Sequence, residues 1–148
     1  MFSEICGWRF IFLSDEPETF TSPSYPHNYP SNLACRWEIK SSGNPVISVH
    51  IEDFETETAN DVVSFEGRTF YSDSPEVFTM DGSTKVRTIV FNSSSLFLMF
   101  ESDSSKEYSG FLLSLESNFS FTGKNYSTRF NQSMSSRPSR CSVLRKIP

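Results

Sequence analysis

Residues 20–39 read FTSPSYPHNYPSNLACRWEI, and this stretch decides how the chain can fold. Its three prolines, Pro23, Pro26 and Pro30, hold φ near about −65° and remove backbone donors, so a helix cannot run through it. Tyr25 and Tyr29 stand between the prolines, and a tyrosine ring can be buried while its hydroxyl finds a polar partner. The pattern predicts an extended, turning segment that packs against β-structure.

Segments of β character recur through the first 115 residues, separated by turn residues. In residues 35–40, polar and apolar side chains alternate strictly and place Cys35, Trp37 and Ile39 on one face. Many short strands of this kind, without an amphipathic helical pattern, are typical of an all-β protein built from two packed antiparallel sheets. The predicted strands cover residues 19–22, 35–40, 46–51, 62–65, 86–91, 96–100 and 111–115.

Charge is distributed unevenly along the chain. Residues 1–116 carry seven Lys and Arg against eighteen Asp and Glu, a net charge of −11, whereas residues 117–148 carry six bases and no acid. An acidic body disfavours nucleic acid as a partner, because phosphate contacts require clustered bases. The Ser- and Asn-rich composition of residues 117–148 predicts a disordered, flexible tail. No apolar run is long enough for a membrane-spanning helix.

Two motifs give the chain a resemblance to the CUB domain family. Residues 20–39 resemble the opening of that family, in which a Ser-Pro-x-Tyr-Pro-x-x-Tyr-Pro motif precedes a cysteine, one residue and a tryptophan. A generic proline-rich linker would not require those tyrosines or that tryptophan. Residues 96–105, LFLMFESDSS, resemble the penultimate strand of the family and its following loop. The resemblance implies a jelly-roll-like β-sandwich over residues 6–116, after an N-terminal extension at residues 1–5 and before the tail at residues 117–148.

The resemblance also assigns the cysteines. Cys6 and Cys35 occupy the positions of the first disulfide of the family. The second disulfide has no counterpart here, because the segment before Asp61 contains no cysteine. Cys141 is left over in the tail, where it either pairs with another chain or domain or remains a free thiol.

A cluster of acidic residues suggests a calcium site. Five carboxylates fall within ten residues with no base among them, and such a cluster requires either solvent or a cation; they are Glu52, Asp53, Glu55, Glu57 and Asp61. The resemblance implies that the calcium ligands are Glu57, Asp61 and Asp103, with Ser105 in the following loop and Tyr29 as a supporting residue. Asp103 could instead be a turn residue that bonds to its own loop. The loop from Glu57 to Asp61 is shorter than the family norm, which could separate these two carboxylates.

The sequence shows no sign of catalysis. Its two histidines, His27 among the prolines and His50 within a predicted strand, are both expected at the surface. It contains no H-E-x-x-H, no G-x-S-x-G and no glycine-rich phosphate loop. We therefore expect a protein that is not an enzyme.

Several features predict an extracellular, secreted protein. Four N-x-S sequons could accept N-linked glycans, at Asn92, Asn118, Asn125 and Asn131. The disulfide that the resemblance implies also fits an oxidising compartment. The first residues do not read as a signal peptide, because the apolar run at residues 8–13 is too short for one.

The resemblance implies a recognition module that binds other extracellular proteins. In related domains, the calcium site orders a loop whose exposed acid engages a lysine of the partner, and Asp53 and Glu55 are the candidate acids here. Two other functions are compatible with the sequence. One is a CUB accessory fragment of a secreted astacin-type metalloprotease, and the other is a carbohydrate-binding protein similar to the spermadhesins.

Overall fold

Nine β-strands and no helix form the part of the chain that the computed structural model describes, residues 6–42, 46–68, 73–85 and 87–118. Those residues therefore contain no helix long and apolar enough to cross a membrane. The strands are β1 (Trp8–Leu13), β2 (Glu18–Thr21), β3 (Ala34–Ser41), β4 (Val46–Glu55), β5 (Val62–Gly67), β6 (Glu76–Met80), β7 (Thr88–Phe91), β8 (Ser95–Glu101) and β9 (Gly110–Asn118).

The strands form two sheets that pack face to face. One sheet has five strands in the order β1-β3-β8-β5-β6, and the other has four in the order β2-β9-β4-β7. Every pairing is antiparallel except that of β1 with β3, which is parallel over Trp8–Leu13. The predicted all-β sandwich is confirmed, with this one parallel edge pair as a departure from a wholly antiparallel arrangement.

The core lies between the two sheets and follows the alternation of the strands. Cys35, Trp37 and Ile39 are buried on the inner face of β3, as their spacing predicts. The interior is rich in aromatic rings in edge-to-face contact, such as Phe100 against Phe111 with centroids 5.4 Å apart. Such contacts add to the area that each ring buries. The fully buried side chains include Phe65, Phe91, Phe100, Phe111, Ile39, Ile47, Leu96, Leu98, Leu113 and Leu115.

Two strands are absent from the sequence prediction. In β1, the bulky side chains Trp8, Phe10 and Phe12 face outward, so hydrophobicity does not mark the buried face. In β6, only Met80 is buried, and the pattern is too weak to predict a strand. The other strands begin within two residues of their predicted positions. β4 runs on through a bulge at Glu52 to Glu55, and β9 runs to Asn118, while residues 119–148 of the predicted tail lie outside the described residues.

The proline-rich segment crosses one end of the sandwich. Its backbone is hydrogen-bonded to the chain between β8 and β9, with Asn32 N donating to Asp103 O at 2.7 Å and Tyr29 N donating to Tyr108 O at 3.0 Å. The loop that follows β4 reaches the same end. Consequently, three chain segments that are distant in sequence meet there.

Candidate metal centre

Three carboxylates converge at the end of the sandwich where the proline-rich segment crosses it. One oxygen from each of Glu57, Asp61 and Asp103 lies within 4.8 Å of the other two. Glu57 and Asp61 are buried, whereas Asp103 is exposed. The two buried acids come from the loop after β4, and Asp103 comes from the loop after β8. The residues expected from the sequence are therefore brought together.

Asp61 lies at the centre of the cluster and has no solvent exposure. Its Oδ2 accepts a hydrogen bond of 2.5 Å from the hydroxyl of Tyr29. Its Oδ1 accepts one of 2.8 Å from the backbone N–H of Asp103. Both oxygens therefore accept hydrogen bonds from neutral donors, and neither bond neutralises the charge of the carboxylate. A buried carboxylate is stable only when it is hydrogen-bonded and its charge is compensated.

Tyr29 connects the proline-rich segment to both buried acids. Its hydroxyl donates to Asp61 and accepts a hydrogen bond of 3.1 Å from the backbone N–H of Glu57. Burial, reinforced by the hydrogen bond to Asp61, raises the pKa of Tyr29 above its ordinary value of 10.0. The phenol therefore stays protonated and holds the two acidic residues in place.

Among the described residues, the base that contacts the cluster is Lys106, which pairs with Glu57. Oε1 of Glu57 lies 3.6 Å from the ammonium of Lys106, a side chain that is 72% exposed. Its Oε2 accepts a hydrogen bond of 3.1 Å from the hydroxyl of Ser105. Lys106 is a residue that sequence reasoning did not single out. Its charge and its position three residues after Asp103 were the available signals.

Asp103 has the turn geometry expected from its loop. Its Oδ1 accepts hydrogen bonds from the backbone N–H of Ser105 at 2.7 Å and from the Ser105 hydroxyl at 3.0 Å. The turn and the cluster are compatible, because these bonds orient the Asp103 carboxylate towards Glu57 and Asp61. Ser105 donates hydrogen bonds to two of the three acids, Glu57 and Asp103, and so lies beside the cluster.

The short loop after β4 closes without separating Glu57 from Asp61. The backbone N–H of Asp61 donates to the carbonyl of Glu57 at 3.1 Å, which makes one tight turn. The hydroxyl of Thr56 donates to the Asp61 carbonyl at 2.9 Å and accepts from the backbone N–H of Gly82 at 3.0 Å. Asp81 accepts from the backbone N–H of Ala59, which has a φ of 67°. Thr56 and Asp81 are further positioning residues that the sequence did not reveal.

Asp53 and Glu55, the predicted partner-binding acids, are exposed and do not belong to the three-carboxylate cluster. Asp53 accepts a hydrogen bond of 3.0 Å from the hydroxyl of Tyr25, and this bond raises the pKa of that tyrosine. Glu55 accepts one of 3.3 Å from the hydroxyl of Ser109. Glu52 is likewise exposed. The five clustered acids of the sequence are therefore divided between a buried pair and a solvated edge.

The remaining predicted sites are placed as follows. Cys6 and Cys35 are joined by a disulfide. Asn92 is exposed in the connection between β7 and β8. Asn118 is the last residue of β9, and nothing is described of its side chain. The other predicted residues, Asn125, Asn131 and Cys141, lie outside the described part of the chain.

Comparison with known proteins gives one family. The CUB domain family model matches residues 6–115. Cubilin from Homo sapiens is 36% identical over 104 residues, which are 66% of this chain and 3% of cubilin. Among solved structures, the full extracellular region of zebrafish Gpr126/Adgrg6 matches 75% of this chain and 14% of its own, with a TM-score of 0.65 and 26% identity. The MASP-1 CUB2 domain bound to Ca²⁺ matches 72% of this chain and 97% of its own, with a TM-score of 0.62 and 24% identity.

Proposed function

The chain belongs to the CUB domain family, and on that premise we propose that it is an extracellular, non-catalytic module that recognises other proteins with the help of Ca²⁺. The proposed ligands are the carboxylates of Glu57, Asp61 and Asp103. The observation that carries the proposal is the convergence of these three groups around a fully buried Asp61.

The charge of the cluster favours a divalent cation. Three carboxylates face one another, and among the described residues the base that contacts them is the exposed Lys106. Exposed ion pairs of this kind contribute little, about 0–1 kcal/mol. Compensation by Lys106 is therefore weak, and an ion with two charges would relieve the repulsion more effectively.

The type of donor selects calcium among the divalent ions. The cluster offers carboxylate and hydroxyl oxygens and contains neither histidine nor cysteine, which is the donor set that Ca²⁺ prefers. The MASP-1 CUB2 domain is bound to Ca²⁺ in its solved structure, which supports the same ion here. Tyr29 supports the site by orienting Asp61, and Ser105 does so by joining Glu57 to Asp103.

The surface around the cluster suits a basic side chain of a partner. Asp103, Asp53 and Glu55 are exposed, and Asp53 and Glu55 lie near the end of β4. With Glu57, Asp61 and Asp103 engaged by the ion, Asp53 and Glu55 would remain available to pair with a lysine. The chain spans about 3% of cubilin, so partners of the whole relative are not transferred to it.

Calcium binding is tested by thermal unfolding of the full chain with Ca²⁺, with Mg²⁺ and with a chelator. Extracellular modules bind Ca²⁺ at about 10⁻⁴ to 10⁻³ M, so about 1 mM calcium should stabilise by roughly 0.4–1.4 kcal/mol. For a domain of about 100 residues, this raises Tm by a few degrees. Asp61→Asn and Asp103→Asn should abolish the rise, whereas Asp53→Asn should retain it.

The Asp103→Asn variant distinguishes loss of calcium binding from loss of the fold. Asp61→Asn could reduce stability by itself, but Asp103 is exposed and its replacement should leave the fold intact. A wild-type chain that melts at the same temperature with calcium and with chelator would refute the metal site. An equal rise in the Asp103→Asn variant would contradict the assignment of the Asp103 carboxylate as a ligand.

Partner recognition needs a second measurement. The immobilised chain should retain extracellular proteins in calcium and release them when a chelator is added. Glu55→Gln and Asp53→Asn should reduce this retention while leaving the calcium-induced rise in Tm unchanged. Retention that is indifferent both to chelator and to these two variants would contradict recognition through this end of the sandwich.

A further inference from the structure

The aromatic side chains of β1 are unusually exposed. Trp8, Phe10 and Phe12 have relative exposures of 56%, 57% and 71%, and they are the three aromatic residues among the large hydrophobic residues described as exposed. Successive side chains of a strand point to opposite faces, so all three lie on the outer face of the five-stranded sheet. Exposed apolar residues that are grouped in this way mark an interaction surface more often than scattered ones do.

β1 is also an edge strand, and no described strand pairs with its outer side. It pairs with β3 over all six residues without a bulge or a change of register. It contains no proline and no acid, and its one charged residue is Arg9. Natural edge strands are usually protected by such features, because an unprotected edge offers its backbone groups to another strand.

Charge narrows the choice of edge at which two copies could meet. Residues 1–116 have a net charge of −11, so most faces of two copies repel each other. The edge strands β2 and β6 each begin with a glutamate, Glu18 and Glu76 respectively. The edge strands β1 and β7 contain no acid, and of these two it is β1 that bears the exposed aromatic side chains.

We propose that β1 pairs with β1 of a second copy, antiparallel and about a twofold axis. With Phe10 opposite Phe10 of the second copy, Trp8 lies opposite Phe12 of that copy. Directly opposed residues of antiparallel strands share a face, so six aromatic side chains form one continuous row. In the same register Arg9 faces Ile11 of the second copy, so the two arginines are not directly opposed. The two five-stranded sheets become a single sheet of ten strands.

The neighbouring strands leave this row accessible. The guanidinium of Arg36 lies 5.7 Å from the centroid of Trp8, and the ammonium of Lys40 lies 5.7 Å from the centroid of Phe10. Both bases belong to β3, so they contact the rings from the side of β1 that faces β3. The backbone edge of β1 that faces away from β3 remains available to a second strand.

The area available makes the proposed dimer weak. An aromatic side chain has about 150–250 Å² of surface, so the exposed parts of the three rings amount to roughly 300–450 Å² per copy. Stable interfaces bury about 800 Å² per partner. The paired backbones of β1 add to the contact, but we expect a dimer that forms at micromolar concentrations and above and dissociates on dilution.

Analytical ultracentrifugation of the full chain tests the proposal, over about 1 μM to 1 mM and at about 0.15 M salt to screen the acidic bodies. Every sample carries Cys141→Ser, which removes dimers formed through that thiol. We expect reversible dimerisation that Phe10→Lys weakens at least tenfold. Val77→Lys is the matched control, because Val77 is also 57% exposed and lies on β6, the opposite edge of the same sheet.

Each outcome decides the proposal. A chain that is monomeric throughout this range would overturn it, and so would a dimer that Phe10→Lys and Val77→Lys weaken equally. Phe12→Lys, at the most exposed of the three positions, replaces Phe10→Lys if that variant does not fold. Asp103→Asn, at an exposed position, should leave dimerisation unchanged, so failure of the calcium site and failure of this interface are distinguishable.

Discussion

The hydroxyl of Tyr29 donates a hydrogen bond of 2.5 Å to Oδ2 of Asp61, and neither side chain is more than 1% exposed. These residues are 32 positions apart, in the proline-rich segment and in the loop after β4. The bond therefore joins two of the three segments that form the cluster of three carboxylates. It also satisfies a carboxylate oxygen that would otherwise be buried without a partner.

Replacing Tyr29 by phenylalanine tests the contribution of this hydrogen bond directly. Tyr29→Phe keeps the ring but removes the donor to Asp61 and the acceptor for Glu57 N–H. Leaving such buried groups unpaired costs about 1–3 kcal/mol of unfolding free energy. Urea denaturation without calcium measures this loss. Tyr25→Phe, which removes an exposed hydrogen bond to Asp53, should reduce stability far less, and equal losses in both variants would contradict the role of Tyr29.

The raised pKa of Tyr29 predicts how stability changes in alkaline solution. Since the folded protein holds this proton more tightly than the unfolded chain, stability is unaffected below the ordinary tyrosine pKa of 10.0 and falls as the pH rises above it. One such proton contributes a slope of about 1.4 kcal/mol per pH unit. The difference between wild type and Tyr29→Phe, measured by urea denaturation from pH 8 to about pH 11, should therefore shrink as the pH rises. A constant difference would show that Tyr29 titrates normally.

Removing Lys106 should strengthen calcium binding. Its ammonium lies 3.6 Å from Glu57 and competes with the proposed ion for that carboxylate. Because the side chain is 72% exposed, the competition is modest, and Lys106→Met should lower the Kd for Ca²⁺ by about two- to fivefold. Isothermal titration calorimetry measures the change. Lys40→Met, which removes a base paired with Glu38 on the outer sheet face, serves as the control and should leave the Kd as it is.

Loss of the disulfide should lower stability without changing the site. Cys6 and Cys35 are separated by 29 positions, and closing a loop of that length stabilises by roughly 3–4 kcal/mol in the chain-entropy model. The double variant Cys6→Ala/Cys35→Ala should lose about this much in urea denaturation. If it remains folded, its calcium-induced rise in Tm should persist, because neither cysteine belongs to the cluster of three carboxylates. Loss of that rise in a folded variant would contradict the independence of the calcium site from the disulfide.

Gly110 should tolerate no side chain. It begins β9 with a φ of 82°, and an added Cβ would lie 2.0 Å from Oγ of Ser22, the hydroxyl that accepts a hydrogen bond from Phe111 N–H. Gly110→Ala should therefore lower the free energy of unfolding by about 2–4 kcal/mol. The loss has two causes, strain in the backbone of Gly110 and displacement of Ser22 from the start of β9. Thermal unfolding provides the measurement. Ser109→Ala, one residue earlier and partly exposed, is the matched control and should change stability by less than about 0.5 kcal/mol.

Most of the fold could be predicted because strand patterns are local. Cys35, Trp37 and Ile39 alternate with polar residues, and the structure buries all three. β1 escaped prediction because its large aromatic residues point outward, which reverses the relation between hydrophobicity and burial. β6 escaped because one of its five residues is buried.

The candidate site was predictable in part. Glu57, Asp61 and Asp103 were named through the family resemblance, and the structure places them together. Thr56, Asp81 and Lys106 were not named, because each acts through a residue distant in sequence or through a loop whose shape the sequence does not reveal. The division of the acidic run into a buried pair and an exposed edge was also hidden, since neighbouring acids look alike in a sequence.

The sequence by itself determined seven of the nine described strands, the sandwich and the chemical types of the candidate ligands. Alternation along a strand decides which side chains face the core, and prolines exclude a helix wherever they occur. Only the tertiary structure decided that Asp61 and Asp103, 42 positions apart, share a hydrogen bond, and that the outer edge of β1 lies open beside exposed aromatic rings. The reason is physical. Distance in space between loops depends on how the sheets are paired and stacked, and that is settled by contacts between residues that are remote in the chain.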